Sequence, residues 1–106
     1  ANLGDIGKHF PDTSDKYKGI DSKTLLKEVM LLLREKGYEI GNIDSTICLQ
    51  TPKIGPYIPE MQKVLASCMG VDVDLVSIKA TTTEKLSFVG REEGVSAYAT
   101  VLIQKV

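Results

Sequence analysis

The chain has 106 residues, a length that suits a single domain with one modest core. Its 42% hydrophobic and 25% charged residues are typical of a globular protein, and its net charge of −1 lacks the basic excess of a general nucleic-acid binder. No apolar run approaches the ~20 residues of a membrane-spanning helix. Cys48, Cys68 and the single histidine, His9, are too few for a zinc site of soft ligands, so we interpret both cysteines as free thiols.

The amino-terminal part is predicted to contain a loop and then a helix. Residues 1–20 are rich in Gly, Pro, Asp and Lys, a composition typical of a loop. The helix begins where Asp21 or Ser22 can accept hydrogen bonds from free backbone amides, and it ends at Lys36 and Gly37, which supply a cationic last turn and a left-handed stop. The apolar face recurs at helical spacing and comprises Leu25, Leu26, Val29, Met30, Leu32 and Leu33.

A strand, a stiff loop and a second helix are predicted next. Residues 38–50 form the strand, because apolar and polar side chains alternate along its second half. Residues 51–56 form the loop, which contains two prolines and a glycine. Pro59 can begin the second helix without losing an intrahelical bond, and Gly70 ends it. The stripe expected to be buried comprises Met61, Val64, Leu65 and Cys68.

Two further strands complete the predicted elements. Residues 76–80 and 95–103 both alternate between two faces. We therefore predict an α+β fold, in which two main helices pack on one face of a small mixed β-sheet, in a single domain spanning residues 1–106. The second face of the sheet is partly apolar, so we expect another subunit to pack there. The candidate residues of that face are Tyr98, Leu102, Cys48 and Ile78.

Two of the predicted loops have a composition that suits ligand binding. In the segment Gly4–Thr13, glycines let backbone amides approach a ligand, and aspartates can bind a hydroxyl group or a metal. The alternative is a surface turn with local side-chain hydrogen bonds, and a lone loop residue such as His9 is expected to face solvent. The segment Leu49–Gly55 lies between a strand and a helix, where it either binds a ligand or forms a rigid connection.

A third loop, Lys79–Lys85, contains three consecutive threonines that offer hydroxyls and amides to phosphate oxygens. Glu84 offers a hard oxygen ligand for a divalent cation such as magnesium. Arg91, which follows shortly after, can pair with phosphate. The alternative is that Thr81 caps a helix together with Glu84 three residues on, but this interpretation leaves the triple threonine unexplained.

These loops belong to a set of motifs that runs through the chain without a break in register. The motifs are Gly4-Asp5-Ile6-Gly7, Phe10-Pro11-Asp12-Thr13, Lys18-Gly19, Asp21-Ser22, Gly37-Tyr38, Gly41-Asn42, Asp44, Gln50 with Pro52-Lys53, the segment Lys79–Lys85, Gly90-Arg91 and Glu93-Gly94. In this order they resemble the 2-C-methyl-D-erythritol 2,4-cyclodiphosphate synthase family of non-mevalonate isoprenoid biosynthesis. Any one motif is weakly specific, whereas the ordered set is strongly so.

The resemblance implies a phosphorus–oxygen lyase. Members of this family convert 4-diphosphocytidyl-2-C-methyl-D-erythritol 2-phosphate to 2-C-methyl-D-erythritol 2,4-cyclodiphosphate and CMP. The 2-phosphate of the substrate attacks the β-phosphorus, so the protein supplies no nucleophile, and positioning and charge neutralisation do most of the work. An inert cytidine-nucleotide-binding or diphosphate-binding module is the alternative, and a structural trimerisation domain is a third hypothesis.

The functional residues of the family carry over onto matching positions of this chain. The methylerythritol part would be held by Asp5, Ile6 and Gly7, in a pocket also lined by Phe10, Pro11, Asp12, Thr13 and Ser14. The cytosine pocket would be formed by Leu49, Gln50, Thr51, Pro52, Lys53, Ile54 and Gly55. The nucleotide and its phosphates would be contacted by Thr81, Thr82 and Thr83, with Thr82 as the catalytic candidate. Glu84 would bind magnesium or manganese, while Phe88 and Arg91 would lie near the substrate and a central cavity.

The resemblance also implies cofactors and partners. The zinc ligands of the family are an Asp-x-His pair and a later histidine, and none of these has a counterpart here. We therefore expect the zinc ligands upstream of this sequence. We also expect the domain to be incomplete at its amino terminus. The family forms homotrimers with sites between subunits. Its partner is a small-molecule cytidine diphosphate substrate, with no nucleic acid or membrane involved. We expect the protein in the bacterial cytoplasm or in a plastid-type organelle.

Overall fold

The computed structural model describes all residues from 1 to 106. None of its helices combines the length and the apolar character needed to cross a membrane. Short 3-10 turns precede the third helix and the second strand, at Gly55–Tyr57 and Val73–Leu75. The other elements, in chain order, are α1 (Ile6–His9), α2 (Ser22–Glu35), β1 (Tyr38–Cys48), α3 (Ile58–Met69), β2 (Val76–Thr81), α4 (Ser87–Gly90) and β3 (Ser96–Lys105).

Helix α2 begins and ends at the residues that its sequence predicts. The Asp21 side chain accepts a hydrogen bond from the Lys23 amide at 2.7 Å, which satisfies one of the free donors of the first turn. The helix ends at Lys36, and Gly37 follows with a φ of +87°, a left-handed conformation in which glycine avoids the steric cost of a side chain.

Helix α3 is also confirmed, and its end is tied to α2. Its predicted buried stripe is wrong at Val64, which is 36% exposed, while Ala66 and Met69 are the buried residues. Pro59 lies in the first turn, and Gly70 ends the helix with a φ of +67°. The Arg34 guanidinium donates a hydrogen bond from Nη2 to the carbonyl oxygen of Met69 at 2.9 Å. This bond satisfies a carbonyl that the last turn of α3 leaves free, and it fixes the two main helices relative to each other.

The three strands form a mixed sheet in the order β2-β1-β3, which confirms the predicted fold class. Strand β1 runs parallel to β2, with Ile43 opposite Val76, and α3 supplies the crossover connection between them. On its other side β1 pairs with β3 in the antiparallel sense, with Tyr38 opposite Lys105. The register shifts once, between Ile40 and Asn42 of β1.

The core lies between this sheet and the two main helices. Its buried members are Met30, Leu33, Ala66, Met69, Val76 and Ile78. The prediction for Ile78 is therefore wrong: this side chain is only 7% exposed and faces the helices, whereas we expected it on the outer face. The reason is strand parity, since Ile78 lies two residues after the buried Val76, and both point to the same side of the pleat.

The outer face of the sheet carries both charged and apolar side chains. Lys79 pairs with Asp44 across β2 and β1, with Nζ and Oδ2 3.0 Å apart and both side chains largely exposed. Such exposed pairs stabilise a fold little. Tyr98 and Leu102 of β3 are 66% and 59% exposed, so this face presents large apolar side chains that the chain itself leaves uncovered.

Two short helices, α1 and α4, were not among the predicted elements. At α1 the Asp5 carboxylate accepts from the Lys8 amide at 3.0 Å, so a single capped turn forms where glycine and proline content predicted none. A single turn is too short to produce a helical repeat of apolar residues. The prediction for His9 is also wrong, because its ring is half-buried and its Nε2 makes a hydrogen bond to the Leu3 carbonyl oxygen at 2.5 Å.

Candidate functional site

A cleft of about 380 Å³ lies at the carboxyl-terminal ends of β1 and β2. Because these strands are parallel, the loops that follow them start at the same edge of the sheet. The Leu49 amide donates to the Thr81 carbonyl oxygen at 2.9 Å, which extends the pairing one step past the end of β1. One wall of the cleft comprises Leu49, Gln50 and residues 52–56, and the facing wall comprises residues 80–82.

The structure brings together two groups of predicted site residues that lie about thirty positions apart in the sequence. The predicted residues in the lining are Leu49, Gln50, Pro52, Lys53, Ile54, Gly55, Thr81 and Thr82. Thr51 instead lines a neighbouring cleft of about 230 Å³, together with Glu92, Glu93 and Gly94. Three further lining residues were not predicted: Pro56 and Ala80, which adjoin or lie within the predicted loops, and Ile58, for which the sequence offers no signal.

The walls of the cleft combine apolar surface with one exposed cation. Pro52, Ile54, Pro56 and Ile58 contribute apolar surface, and the volume falls within the ~300–1,000 Å³ typical of small-molecule pockets. Lys53 is exposed at this wall and takes part in none of the three ion pairs of the protein. Its ammonium group is therefore free to attract an anion, while the apolar wall can pack against the apolar part of a ligand.

The segment Lys79–Lys85, which we call the threonine loop, is held by its own side chains. The Thr82 hydroxyl accepts from the Glu84 amide at 3.3 Å, and the Thr83 hydroxyl donates to the Leu86 carbonyl oxygen at 2.7 Å. The capping interpretation is wrong, because no helix begins here and the Thr81 hydroxyl donates to the neighbouring Thr82 carbonyl oxygen. The loop is a tight turn that continues β2, and it places Thr82 in the cleft.

Glu84 is exposed, and its carboxylate makes no hydrogen bond or ion pair with the rest of the chain. A single free carboxylate fits a magnesium ion, which proteins usually hold through one or two carboxylates together with substrate phosphates and water. A structural or catalytic zinc ion needs at least three protein ligands, and no cluster of three His, Cys, Asp or Glu side chains exists in the structure. The residues present therefore fit magnesium or manganese at Glu84 and do not fit zinc.

The predicted methylerythritol-binding residues lie outside both clefts. Residues 5–14 contribute nothing to either lining. The Asp5 carboxylate is occupied by the Lys8 amide, and the Phe10 ring packs edge-on against Tyr17 with centroids 5.3 Å apart. Within one chain the structure does not bring the predicted methylerythritol-binding residues to the cleft, which leaves the carbohydrate side of the predicted site incomplete.

Phe88 and Arg91 lie beyond the threonine loop, next to the smaller cleft and outside the larger one. Phe88 is 47% exposed and lies against Gly94. Arg91 donates from Nε to the Glu93 carboxylate at 2.8 Å, in an exposed pair that leaves its guanidinium only partly engaged. Between them, the buried Val89 anchors the segment to the body of the protein.

Known proteins resemble this chain along nearly its whole length. The model of the YgbB family matches residues 1–104. A Bacteroides fragilis protein named 2-C-methyl-D-erythritol 2,4-cyclodiphosphate synthase is 64% identical over 106 residues, which are 100% of this chain and 67% of that protein. The chain thus spans about two thirds of the length of the curated relatives that it matches.

Two solved structures show the same fold. The bifunctional IspDF of Campylobacter jejuni superimposes with a TM-score of 0.93 at 40% identity, over 98% of this chain and 28% of that one. The IspF of Plasmodium falciparum, solved in complex with CDP, gives a TM-score of 0.83 at 29% identity, over 96% of this chain and 60% of that one.

Proposed function

The chain belongs to the YgbB family, and from this membership we propose that it carries the cytidine-binding and phosphate-binding part of a phosphorus–oxygen lyase. The reaction forms 2-C-methyl-D-erythritol 2,4-cyclodiphosphate and CMP from 4-diphosphocytidyl-2-C-methyl-D-erythritol 2-phosphate, in non-mevalonate isoprenoid biosynthesis. The name of the B. fragilis relative and the CDP in the P. falciparum structure support this proposal. The observation that carries it is the cleft that joins the Leu49–Gly55 loop to the threonine loop.

The larger cleft binds the cytosine base. Its apolar wall packs on the ring, and the backbone groups of residues 52–56 offer the donors and acceptors that read the edge of a base. Thr81 and Thr82, on the facing wall, then lie where the nucleotide continues into its phosphates. The exposed ammonium group of Lys53 adds a positive charge to the same cleft, which attracts the phosphates of the nucleotide.

The chemical step is an intramolecular displacement at phosphorus. An oxygen of the substrate's 2-phosphate forms a bond to the β-phosphorus, and the bond from that phosphorus to the bridging oxygen breaks. The electron pair leaves with CMP. The protein supplies position and hydrogen bonds for the charge on the transferred group, and the Thr82 hydroxyl is the donor that we assign to this task.

Magnesium or manganese is the cofactor of this part of the site, and Glu84 is the residue that would hold it. When bound, such an ion neutralises the charge that develops on the phosphate oxygens. Glu84 lies two residues after Thr82, and the Glu84 amide binds the Thr82 hydroxyl, so the two functional groups are held by one turn. The zinc of the proposed enzyme is not held by residues of this chain.

A homotrimer with sites between subunits completes the proposed site. In one chain the residues assigned to the methylerythritol part, 5–14, are separate from the cleft, so a neighbouring copy would supply them. The uncovered Tyr98 and Leu102 support an interface on the outer face of the sheet, because both are more than half exposed and lie on the same face of β3. Phe88 and Arg91 would then lie toward the shared centre. The proposed location of the reaction is the bacterial cytoplasm or a plastid-type organelle.

Calorimetry of this chain with cytidine, CMP and CDP tests the proposal, with and without magnesium. We expect CDP to bind more tightly with magnesium, and we expect Glu84→Ala to remove that gain while leaving cytidine binding intact. Thr82→Ala should weaken CDP more than cytidine. Glu35→Ala, which removes an exposed carboxylate at the end of α2, is the matched control and should change nothing.

The outcomes separate the competing functions. CMP release from 4-diphosphocytidyl-2-C-methyl-D-erythritol 2-phosphate, measured on a protein that also carries the zinc ligands, supports the lyase. CDP binding without CMP release by that same protein supports an inert nucleotide-binding module. A trimer that ignores CDP supports a structural domain. If Thr82→Ala and Glu84→Ala bind CDP with magnesium as tightly as the unaltered chain does, the assignment of the threonine loop is refuted.

A further inference from the structure

We propose that Gln50 is a positioning residue that couples the cytosine cleft to the metal-binding carboxylate of Glu84. This inference rests on the proposed function, and it goes beyond it by giving Gln50 a role other than contact with the base. Cytidine and metal binding would then influence each other through the protein as well as through the phosphates that join them.

The first observation is a hydrogen bond between the two loops of the site. The Gln50 side-chain oxygen, Oε1, accepts from the Lys85 amide at 3.2 Å, although the two residues lie 35 positions apart. Gln50 also lines both the larger and the smaller cleft, so its side chain lies where the two loops meet. Apart from this bond, the backbone bond from Leu49 to Thr81 is the only hydrogen bond joining residues 49–55 to residues 81–85.

The second observation is that the donor of this bond, the Lys85 amide, lies in a segment of strained backbone. Glu84 and Lys85 have φ values of +52° and +64°, so two consecutive residues with side chains adopt the left-handed conformation. Such residues are disfavoured, and they persist where surrounding contacts hold them. Gln50 supplies one of those contacts directly to the second of the two residues.

A third observation places another constraint on the same backbone. An ideal Cβ built on Gly90 would lie 2.1 Å from the Lys85 carbonyl carbon, so the Gly90 backbone rests directly on Lys85. The Gly90 amide also donates to the Leu86 carbonyl oxygen at 2.9 Å. Lys85 is thus fixed by Gln50 through its amide and by Gly90 through close packing, and the direction of the preceding Glu84 follows from that fixed backbone.

This arrangement makes Gln50 part of a link between two ligands. A base that orders the Leu49–Gly55 loop also orders Gln50, which stabilises the turn that presents Glu84. By thermodynamic reciprocity, a metal that selects the same turn favours the loop that binds the base. Removing the acceptor at Gln50 should therefore reduce the gain in CDP affinity that the metal provides, in addition to any effect on base contact.

Three variants of this chain test the coupling by calorimetry. Gln50→Leu removes the acceptor at similar size, and Gln50→Glu keeps an oxygen acceptor at the same position. Gln104→Leu is the matched control, since Gln104 donates to Glu39 at 2.8 Å on strands away from the site. Each variant is titrated with cytidine, with CDP alone and with CDP plus manganese.

We expect Gln50→Leu to reduce the manganese-dependent gain in CDP affinity about fivefold, the equivalent of one net hydrogen bond. Gln50→Glu should restore most of the gain, and Gln104→Leu should match the unaltered chain. An unchanged manganese gain in Gln50→Leu would overturn the inference, and a fall in cytidine affinity with that unchanged gain would show that Gln50 acts through base contact alone. An unaltered chain that binds neither cytidine nor CDP would instead refute the proposed function itself.

Discussion

Gly90→Ala tests the glycine with the least room for a side chain, where α4 meets the threonine loop. The new Cβ would lie 2.1 Å from the carbonyl carbon, 2.6 Å from the Cα and 2.7 Å from the carbonyl oxygen of Lys85. All three atoms belong to the backbone, so no side chain can rotate away to make room. Either α4 or the turn at Glu84 and Lys85 must move.

The expected cost follows from that geometry. Carbon atoms in van der Waals contact lie ~3.5–4.0 Å apart, so relief of the 2.1 Å contact needs a backbone shift of more than 1 Å. Overpacking of this kind typically costs ~1–3 kcal/mol. Each kcal/mol lowers the melting temperature of a domain of this size by ~4–8 °C. The shift also falls on the turn that presents Glu84, so the magnesium-dependent gain in CDP binding should fall at least as much as in Gln50→Leu.

Thermal unfolding by circular dichroism and CDP titration measure the two effects separately. Gly55→Ala is the control for stability, because an added Cβ there meets nothing within 4 Å and the residue lacks a positive φ. We expect the control to unfold at the temperature of the unaltered chain or slightly above it. A Gly90→Ala protein with an unchanged melting temperature and an unchanged magnesium gain would refute this account of the loop.

Two further predictions concern the scaffold. Arg34→Ala removes the hydrogen bond to the Met69 carbonyl oxygen and should lower the free energy of unfolding in urea by ~1 kcal/mol, because the lost bond has a charged donor and is half-buried. Arg34→Lys should recover part of this stability. An unaltered urea midpoint in Arg34→Ala would contradict this role. Tyr98→Asp places a charge on the proposed interface, so ultracentrifugation should show an 11.6 kDa species instead of a trimer. Tyr57→Asp, at a comparably exposed tyrosine, should leave the assembly intact, and a trimeric Tyr98→Asp protein would exclude this face as the interface.

The sequence by itself determined the elements whose causes are local. Asp21 and Gly37 bound the first main helix, and Pro59 and Gly70 bound the second, because caps, prolines and left-handed glycines act through neighbouring backbone groups. The alternation that predicts strands is likewise a property of adjacent residues. The ordered motifs carried the family assignment, which the comparisons confirm.

The tertiary structure alone decided which residues meet across the chain. The side of the sheet that Ile78 faces depends on where the helices pack, and strand alternation leaves that choice open. The parallel pairing of β1 with β2 brings Gln50 to Lys85, and α4 packs Gly90 against Lys85 as well. These contacts join segments far apart in sequence, and their energies depend on geometry that no local pattern encodes. The threonine loop was recognisable from its residues, but the constraint that orients Glu84 exists only in the folded chain.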